Sequence, residues 1–359
     1  MQKKTNIKTI LFLAEYPDAN SIKEGMSQRI HAIDRQFGDF ERIYLQVSHR
    51  LFTKKQVTRL SASSIQYKCN VFLHFFFIMR LLADSGIVYF HSIQNVLPVL
   101  PCLRFAKRNK WILDIHGVVP EEHQLAGAVL KSKFYNLAER FVITRLHLAI
   151  SVTNAMTRHF QKKYPGLQTA FVTYPILPSN LASASPQDFP IEKSPVRIIY
   201  SGNLQVWQNI PEMIRLIKRN SSEQYEYTIL TGQPAEMRAA LGNEGLEDAA
   251  NIEVKSVAPE ELAEYYEAAH FGFVLRDDIT VNRVACPTKI VEYMNFGIIP
   301  IVKSPAIGDF LELGYDYVTS EQFDNARLEG RKSLKNAHII EQWQADSRSL
   351  NIREIIVAK

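Results

Sequence analysis

The chain has 359 residues, of which 46% are hydrophobic and 22% are charged, and its formal net charge is +5. These values are typical of a globular protein with room for two domains, and they exclude a disordered or fibrous chain. The mild charge forms no dense basic tract, so it favours an anionic small molecule or a membrane surface over nucleic acid as a partner. The three cysteines have neither metal-binding nor disulfide spacing, which predicts a reducing compartment such as the cytoplasm: Cys69, Cys102 and Cys286.

The N-terminal half begins with an apolar segment, a polar loop and an amphipathic segment. Ile7 to Leu13 predicts a first buried strand rather than a secretory signal, and no apolar run has the length of a membrane-spanning helix. The loop contains Gly25, and Met26 to Phe37 has the apolar spacing of a helix. A loop between a strand and a helix can bind an anion, so Gly25 and Arg29 are candidates for an acceptor-side site. A plain turn at Gly25, and an Arg29 that faces solvent rather than a cleft, are the alternatives.

The segment from Cys69 to Ala83 is rich in Phe, Leu and Ile and has Lys68 and Arg80 at its flanks. A core helix and an aromatic face resting on a membrane both fit this pattern. Further along, Lys131 to Arg145 is basic and amphipathic. We expect weak, salt-sensitive binding to an anionic membrane surface, and an ordinary solvated basic face is the alternative. The basic residues that lie among aromatic ones are Lys68, Arg80, Lys107, Arg108, Lys110, Lys131 and Lys133.

A histidine follows the apolar strand predicted from Trp111 to Ile115. In open parallel sheets ligands bind beyond the carboxyl ends of the strands, so His116 and the nearby Glu121 are placed to line a site. A structural histidine is the alternative. Strands and helices continue to alternate as far as Thr173, which predicts a parallel sheet with helices on both faces.

A proline-rich stretch from Pro175 to Pro195 divides the chain. Val196 to Tyr200 then restarts the alternation of strand and helix, and Gly202 in the next loop allows a ligand to approach the backbone closely. Two doubly wound α/β domains of this kind are expected to enclose an interdomain cleft whose closure brings two substrates together. The predicted segments are a first domain of residues 1–178, a linker of residues 179–195, a second domain of residues 196–334 and a helical tail of residues 335–359.

The most informative stretch of the second half is a polar loop followed by a short helix. Pro287 suits the first helical position, and Gly297 suits the end of the same helix. Thr288 and Lys289 lie beside the unpaired N–H groups of the first turn, which predicts an anion site. Glu292 lies one turn further on, where it can accept hydrogen bonds from hydroxyls of the molecule that carries the phosphate. A nucleotide-sugar site is one interpretation, and an ordinary crossover helix with solvated polar residues is the other.

Four segments resemble a known family. YSGNLQVWQNI, TGQP and CPTKIVEYMNFGIIPIV are similar to the C-terminal half of family 4 glycosyltransferases, and LDIHGVVPEE resembles a strand-end histidine motif of some bacterial members. The resemblance covers most of the second domain and is patchy in the first. It implies the GT-B fold, with two Rossmann-like domains. It also implies transfer of a sugar from a nucleotide diphosphate sugar to a hydroxyl, normally with retention of the anomeric configuration and without a cofactor or bound metal.

The resemblance also implies roles for single residues. Glu292 would hold the ribose, and Lys289 with the helix N-terminus would hold the diphosphate. Two departures from the family's pattern stand out: Val284 occupies the place of a first glutamate, and the basic pair that usually follows the SGN-type loop is absent. The residues implied to be catalytic are His116, Lys289 and Glu292. The residues implied to bind the donor are Gly202, Asn203, Arg276, Pro287, Thr288, Lys289 and Glu292.

The setting implied by the resemblance is the biosynthesis of a bacterial surface polysaccharide, which is a capsule, O-antigen or exopolysaccharide. The expected partners are the nucleotide sugar donor, a lipid-linked or oligosaccharide acceptor and the cytoplasmic face of the cell membrane. Two alternatives stay open. A nucleotide-sugar 2-epimerase of the same architecture would turn over the donor without an acceptor. A non-catalytic sugar-nucleotide-binding partner subunit is favoured only by the missing glutamate.

Overall fold

The computed structural model describes residues 9–18, 25–49, 54–106, 109–175 and 195–358. The chain forms two compact units, one of residues 1–176 with 350–359 and one of residues 177–349. Apart from its last residue, the predicted linker lies outside the described residues, as do Lys107 and Arg108. The predicted helical tail is divided between the two units.

The first unit contains an eight-stranded sheet. Its strands are β1 (Thr9–Leu13), β2 (Glu41–Ser48), β3 (Gln56–Arg59), β4 (Ser64–Asn70), β5 (Ile87–His91), β6 (Lys110–Ile115), β7 (Leu148–Ser151) and β8 (Ala170–Thr173). Their spatial order is β3-β4-β2-β1-β5-β6-β7-β8, and β3 alone among these strands pairs antiparallel to its neighbour. The central strands are buried on both faces, as parallel strands covered by helices are expected to be.

Helices connect these strands. They are α1 (Gly25–Asp34), α2 (Phe75–Asp84), α3 (Leu100–Leu103), α4 (Val119–Leu125), α5 (Val129–Ile143) and α6 (Asn154–Lys163). Helix α2 begins later than the segment predicted from Cys69, because Cys69 and Asn70 complete β4 instead. No helix among the described residues is long and apolar enough to span a membrane.

The second unit contains a six-stranded parallel sheet. Its strands are β9 (Val196–Ser201), β10 (Tyr225–Leu230), β11 (Ile252–Lys255), β12 (Phe271–Val274), β13 (Ile299–Val302) and β14 (Val318–Thr319). In space they follow the order β11-β10-β9-β12-β13-β14, so the chain winds outward from β9 in one direction and from β12 in the other. This is the doubly wound order of Rossmann-like domains. The prediction of two doubly wound α/β domains is therefore confirmed.

The helices of the second unit are α7 (Ile210–Arg219), α8 (Pro234–Gly242), α9 (Leu262–Ala268), α10 (Thr280–Arg283), α11 (Thr288–Asn295), α12 (Ser320–Asn325) and α13 (Leu334–Ser349). Helix α11 ends as the sequence predicts. Gly297 has a φ of 68°, its N–H donates to the Met294 carbonyl, and the N–H of Ile298 donates to the Tyr293 carbonyl. These two bonds close the helix with a Schellman motif, which allows the chain to turn directly into β13.

One further helix, α14 (Ile352–Val357), belongs to the first unit. Its apolar side chains Ile352 and Ile356 are buried in the same core as Ile30, Ile33 and Phe37. The predicted tail is divided for this reason: α13 belongs to the second unit, whereas α14 completes the core around α1.

Candidate functional site

The strands of the second sheet reverse their winding direction between β9 and β12. In parallel sheets, ligands bind beyond the carboxyl ends of the strands at such a switch point. Gly202 and Asn203 directly follow β9, and Arg276 follows β12 after one intervening residue. Three residues predicted to bind the donor therefore lie in the two loops at this point.

Lys289, in the first turn of α11, contacts the loop that follows β9. Its side chain is only 9% exposed, its Nζ donates a hydrogen bond to Gln208 Oε1 at 3.0 Å, and the same Nζ lies 3.9 Å from the ring centroid of Tyr200. A Cβ at Gly202 would approach that Nζ to 3.0 Å, and Gly202 has a φ of 149°. The backbone conformation thus favours glycine at position 202, and an added Cβ would also require the Lys289 side chain to shift.

Lys289 is a buried cation, and the partly buried Arg276 lies close enough to affect its pKa. Burial, together with repulsion from Arg276, holds the pKa of Lys289 well below its usual value, while Glu292 acts in the opposite direction. Burial lowers the pKa of Arg276 to about 10. Among the residues that the structure describes, Arg276 donates one hydrogen bond, to Asn282 Oδ1 at 3.2 Å, and neither cation forms an ion pair with a carboxylate. A pair of desolvated cations without a carboxylate partner is the electrostatic requirement of an anion site.

The N-terminus of α11 adds backbone donors to these charges. Pro287 is the residue before the helix, with φ −66° and ψ 127°, and the helix begins at Thr288. The prediction of Pro287 as the first helical residue is therefore wrong by one position, because its ψ is extended rather than helical. The N–H groups of Thr288 and Lys289, in the first turn, have no partner within the helix. Their partial positive charge adds to that of the Lys289 side chain.

Glu292 lies one turn further along α11 and is partly buried. It accepts a hydrogen bond from the Tyr266 hydroxyl at its Oε2, at 2.9 Å, and Tyr266 also hydrogen-bonds Ser201 Oγ at 2.7 Å. Burial raises the pKa of Glu292, while Tyr266 and Lys289 oppose that shift. The Glu292 carboxylate is therefore a hydrogen-bond acceptor held by Tyr266 and close enough to Lys289 to interact with its charge.

Asn203 has a more local environment than predicted. Its side chain is exposed, and its Oδ1 accepts a hydrogen bond from the backbone N–H of Gln205 at 3.3 Å. Its backbone carbonyl accepts a hydrogen bond from the Tyr200 hydroxyl. Asn203 thus shapes the loop in this structure, and its contact with phosphate stays a prediction.

Sequence reasoning did not predict Tyr200, Gln208 or Tyr266 as site residues. Tyr200 and Gln208 flank the loop that begins at Gly202, so their position in the chain was a usable signal. Tyr266 lies on α9, 26 residues before Glu292. No local pattern connects the two, because the contact depends on how α9 and α11 pack.

In the first unit, the predicted acceptor-side residue Arg29 is 2% exposed rather than facing solvent or a cleft. Its Nε and Nη2 atoms each donate to one carboxylate oxygen of Asp114 at 3.0 Å. The Tyr89 hydroxyl donates to Asp114 Oδ2 at 2.7 Å. The alternative in which Arg29 faces solvent is wrong, because the fully buried Asp114, near the end of β6, provides a charge partner that the sequence does not reveal.

His116 follows β6 and lies against the same carboxylate. Its ring is 11% exposed, and Nε2 lies 3.4 Å from Asp114 Oδ2. Among the described residues, neither ring nitrogen of His116 forms a hydrogen bond. The neighbouring His91 is fully buried, and burial lowers its pKa to about 3.

His91, Asp114 and His116 are also the one group of described residues whose ligand atoms are close enough to hold a metal ion. The group does not fit a cation, because the guanidinium of Arg29 already occupies both oxygens of Asp114 and adds a positive charge beside them. Burial would raise the pKa of Asp114, but the neighbouring Arg29 and His116 hold it well below its usual value.

Glu121, predicted on the acceptor side, belongs to an ion network. It accepts a hydrogen bond from Lys163 Nζ at 2.9 Å and lies 3.4 Å from His159 Nε2. Although burial opposes the shift, the neighbouring His159 and Lys163 lower the pKa of Glu121 to about 2. Gly25, the other predicted acceptor-side residue, is the first residue of α1. A contact of either residue with an acceptor stays a prediction.

No family model matches the sequence, and a search of curated proteins returns no match. Solved structures, in contrast, match the whole chain. Sucrose-phosphate synthase from Thermosynechococcus elongatus is 13% identical, with a TM-score of 0.64 over 98% of this chain and 100% of its own. HepE from Anabaena, solved in complex with UDP and glucose, is 13% identical, with a TM-score of 0.67 and the same coverage. The chain has the GT-B fold.

A third structure with this fold is the lipopolysaccharide outer core galactosyltransferase WaaB in its apo form. It is 12% identical, with a TM-score of 0.65 over 97% of this chain and 99% of its own. At such low identities the GT-B architecture is shared, and the chemistry has to be argued from the residues of this chain.

Proposed function

We propose that the protein is a glycosyltransferase that moves a sugar from a nucleoside diphosphate sugar to a hydroxyl acceptor. The observation that carries the proposal is the pair of cations at the switch point of the second unit, the buried Lys289 and the partly buried Arg276. Neither Lys289 nor Arg276 forms an ion pair with a carboxylate among the described residues, and a bound diphosphate would supply the missing negative charge. Glu292, one turn along α11, suits the ribose hydroxyls of the same molecule.

The chemistry follows from charge that develops on the leaving group. When the bond between the sugar and the diphosphate breaks, negative charge accumulates on the phosphate oxygens. Donors that are already fixed around that position stabilise the charge without reorganising. Lys289, Arg276 and the first-turn N–H groups of α11 can do this without a metal ion. We propose retention of the anomeric configuration and membership of glycosyltransferase family 4, on the strength of the sequence segments described above.

The second half of the reaction requires groups that touch the sugar and the acceptor. We propose that His116, which follows β6 and whose ring is 11% exposed, contacts the transferred sugar. Gly25 and Glu121 remain proposed residues of the acceptor side. We propose that Arg29 does not touch the acceptor but positions His116 indirectly. Its guanidinium binds Asp114, and Asp114 lies beside His116.

The structural neighbours suggest which donor to test first. HepE was solved with UDP and glucose, and a trehalose-6-phosphate protein from E. coli was solved with UDP-2-fluoro glucose. These ligands belong to those proteins, and they favour a UDP sugar as the first candidate. The similarity to WaaB favours surface polysaccharide biosynthesis as the setting.

Peripheral contact with the cytoplasmic face of an anionic membrane is part of this proposal, with a lipid-linked or oligosaccharide acceptor. Helix α5 supports it because its outer side is apolar: Leu130, Phe134 and Leu137 are 72%, 60% and 59% exposed. Lys131 and Lys133 lie exposed among them, and the single acidic residue of α5 is fully buried. An apolar stripe with basic neighbours is the pattern of helices that rest on anionic lipid surfaces.

Two measurements test the function. Thermal-shift screening of nucleoside diphosphates and their sugars should identify a ligand that raises the melting temperature. Incubation with that donor, with and without acceptor hydroxyls, then separates the candidates. Transfer supports the proposal, and isomerisation without acceptor would indicate the 2-epimerase. Binding without any turnover would indicate a non-catalytic partner subunit, and the absence of any stabilising nucleotide would refute the proposal.

A further inference from the structure

We infer that Tyr266 is a positioning residue that aims Glu292 at the ribose of the bound nucleotide. The inference rests on the function proposed above and assigns the residue that orients the ribose contact. Tyr266 lies on α9, is 2% exposed, and donates its hydroxyl proton to Glu292 Oε2 at 2.9 Å.

The hydrogen bond from Tyr266 gives the two oxygens of the Glu292 carboxylate different roles. Oε2 is occupied by Tyr266, and no other hydrogen bond to the Glu292 side chain is formed within the described part of the chain. Oε1 is therefore the oxygen left to accept from a ribose hydroxyl. A carboxylate held at one oxygen keeps a single orientation, so its second oxygen meets a ligand hydroxyl at lower entropic cost.

Tyr266 can hold the carboxylate because it is itself fixed. Its ring meets those of Tyr293 and Phe296 at centroid distances of 5.6 and 5.4 Å, and its backbone carbonyl accepts a hydrogen bond from Lys332 Nζ at 2.9 Å. Its hydroxyl also lies 2.7 Å from Ser201 Oγ. Since the tyrosine proton is donated to Glu292, the Ser201 hydroxyl donates to the tyrosine oxygen. The last residue of β9 is thereby connected to the carboxylate on α11.

The matched comparison is between Tyr266→Phe and Tyr293→Phe. Both tyrosines are buried and both hydroxyls bond Ser201, since Tyr293 Oη accepts from the Ser201 N–H at 2.9 Å. Of the two tyrosines, only Tyr266 forms a hydrogen bond with Glu292. Loss of either hydroxyl removes a buried hydrogen bond, so both variants are expected to lower the melting temperature. A purely structural role for Tyr266 would make the two variants alike in every other respect.

The discriminating measurement is the affinity of each variant for UDP and GDP and for their 2′-deoxy counterparts, by calorimetry. In the wild type, the ribonucleotide should bind more tightly than the deoxyribonucleotide, because Glu292 accepts from the ribose hydroxyls. In Tyr266→Phe this ratio should fall by about three- to tenfold, because the hydrogen bond from the ribose to Glu292 is weakened rather than lost. Tyr293→Phe should keep the wild-type ratio. Ser201→Ala, a milder change to the same connection, should lower the ratio in the same direction.

A Tyr266→Phe variant with the wild-type ratio would overturn the inference, whatever its melting temperature. If Tyr266→Phe does not fold, an unchanged ratio in Ser201→Ala would overturn it instead. A wild-type protein that binds UDP or GDP but does not distinguish ribose from deoxyribose would also overturn it, while leaving the anion site standing. A wild-type protein that binds no nucleoside diphosphate in the thermal-shift screen would refute the proposed function as well.

Discussion

Replacing Lys289 by methionine would test the anion site and its cost in stability together. Burial and Arg276 hold the pKa of Lys289 below its ordinary value in the folded protein. Between the folded and unfolded pKa values the unfolded state binds more protons, so the free energy of unfolding rises with pH in that interval. Below the interval the buried ammonium destabilises the ligand-free fold. Methionine has a similar shape without the charge, so we expect Lys289→Met to raise the melting temperature of the ligand-free protein at neutral pH.

The same substitution should weaken nucleotide binding. Among the residues that the structure describes, Lys289 Nζ makes one hydrogen bond, to the neutral side chain of Gln208 at 3.0 Å, and can therefore turn its remaining donors to a phosphate. A hydrogen bond between charged groups contributes about 1.5–3 kcal/mol, which corresponds to about a 10- to 150-fold change in the dissociation constant. Lys289→Met thus combines a gain in stability with a loss of affinity.

The assay is calorimetric titration with UDP and GDP, beside melting temperatures with and without each nucleotide. Lys218→Met is the control, because Lys218 is exposed in the same unit and pairs with Glu244 at 3.0 Å. It should change neither affinity nor stability by much. Unchanged UDP and GDP affinity in Lys289→Met would refute the assignment of the phosphate site. A lower melting temperature with normal binding would show that Lys289 is structural.

Three further predictions concern the two units separately. Glu292→Ala should lower affinity for both UDP and an intact UDP sugar, whereas His116→Ala should leave UDP affinity nearly intact and lower turnover; equal losses of UDP binding would show this division of roles to be wrong. Asp114→Asn leaves Arg29 buried without its charge partner and should lower the free energy of unfolding by about 3–5 kcal/mol in a denaturant titration. Because the folded pKa of Asp114 lies well below its usual value, the stabilisation of the wild type is present above about pH 4 and is lost as the pH falls toward the folded pKa. If Asp114→Asn lowers the free energy of unfolding by less than about 1 kcal/mol, the buried ion pair is contradicted. Wild-type protein should float with anionic vesicles at low salt and Phe134→Ser should float less, while a wild type that stays unbound would remove the membrane proposal.

The sequence predicts the structure most closely where the determinants are local. Helix α11 was expected to end at Gly297, and the positive φ and both Schellman bonds are found there. Its start is displaced by one residue, since Pro287 is the last extended residue. Helix ends are set by residues within one turn of each other, so a short stretch of sequence contains nearly all the information needed.

Contacts between distant segments are where the sequence was insufficient. Arg29 and Asp114 are 85 residues apart in the chain, but β1, which precedes α1, is separated from β6 in the sheet by β5 alone. The helical position of Arg29 could be predicted, but its rotation about the helix axis and its partner could not. The same holds for Tyr266 and Glu292, whose contact depends on the packing of two helices. The chemical types at the site were therefore predictable, whereas the arrangement that holds them was not.

The placement of α14 has a consequence for the order in which the protein can be completed. Ile352 and Ile356 fill the core around α1, yet the ribosome adds them only after every residue of the second unit. The first unit begins synthesis earlier but lacks part of its own hydrophobic core until then. Until α14 is synthesised, the apolar side chains around Ile30 and Phe37 lack Ile352 and Ile356 as packing partners. The second unit already has all of its residues at that stage and can fold. The domain that starts first is thus the one that finishes last.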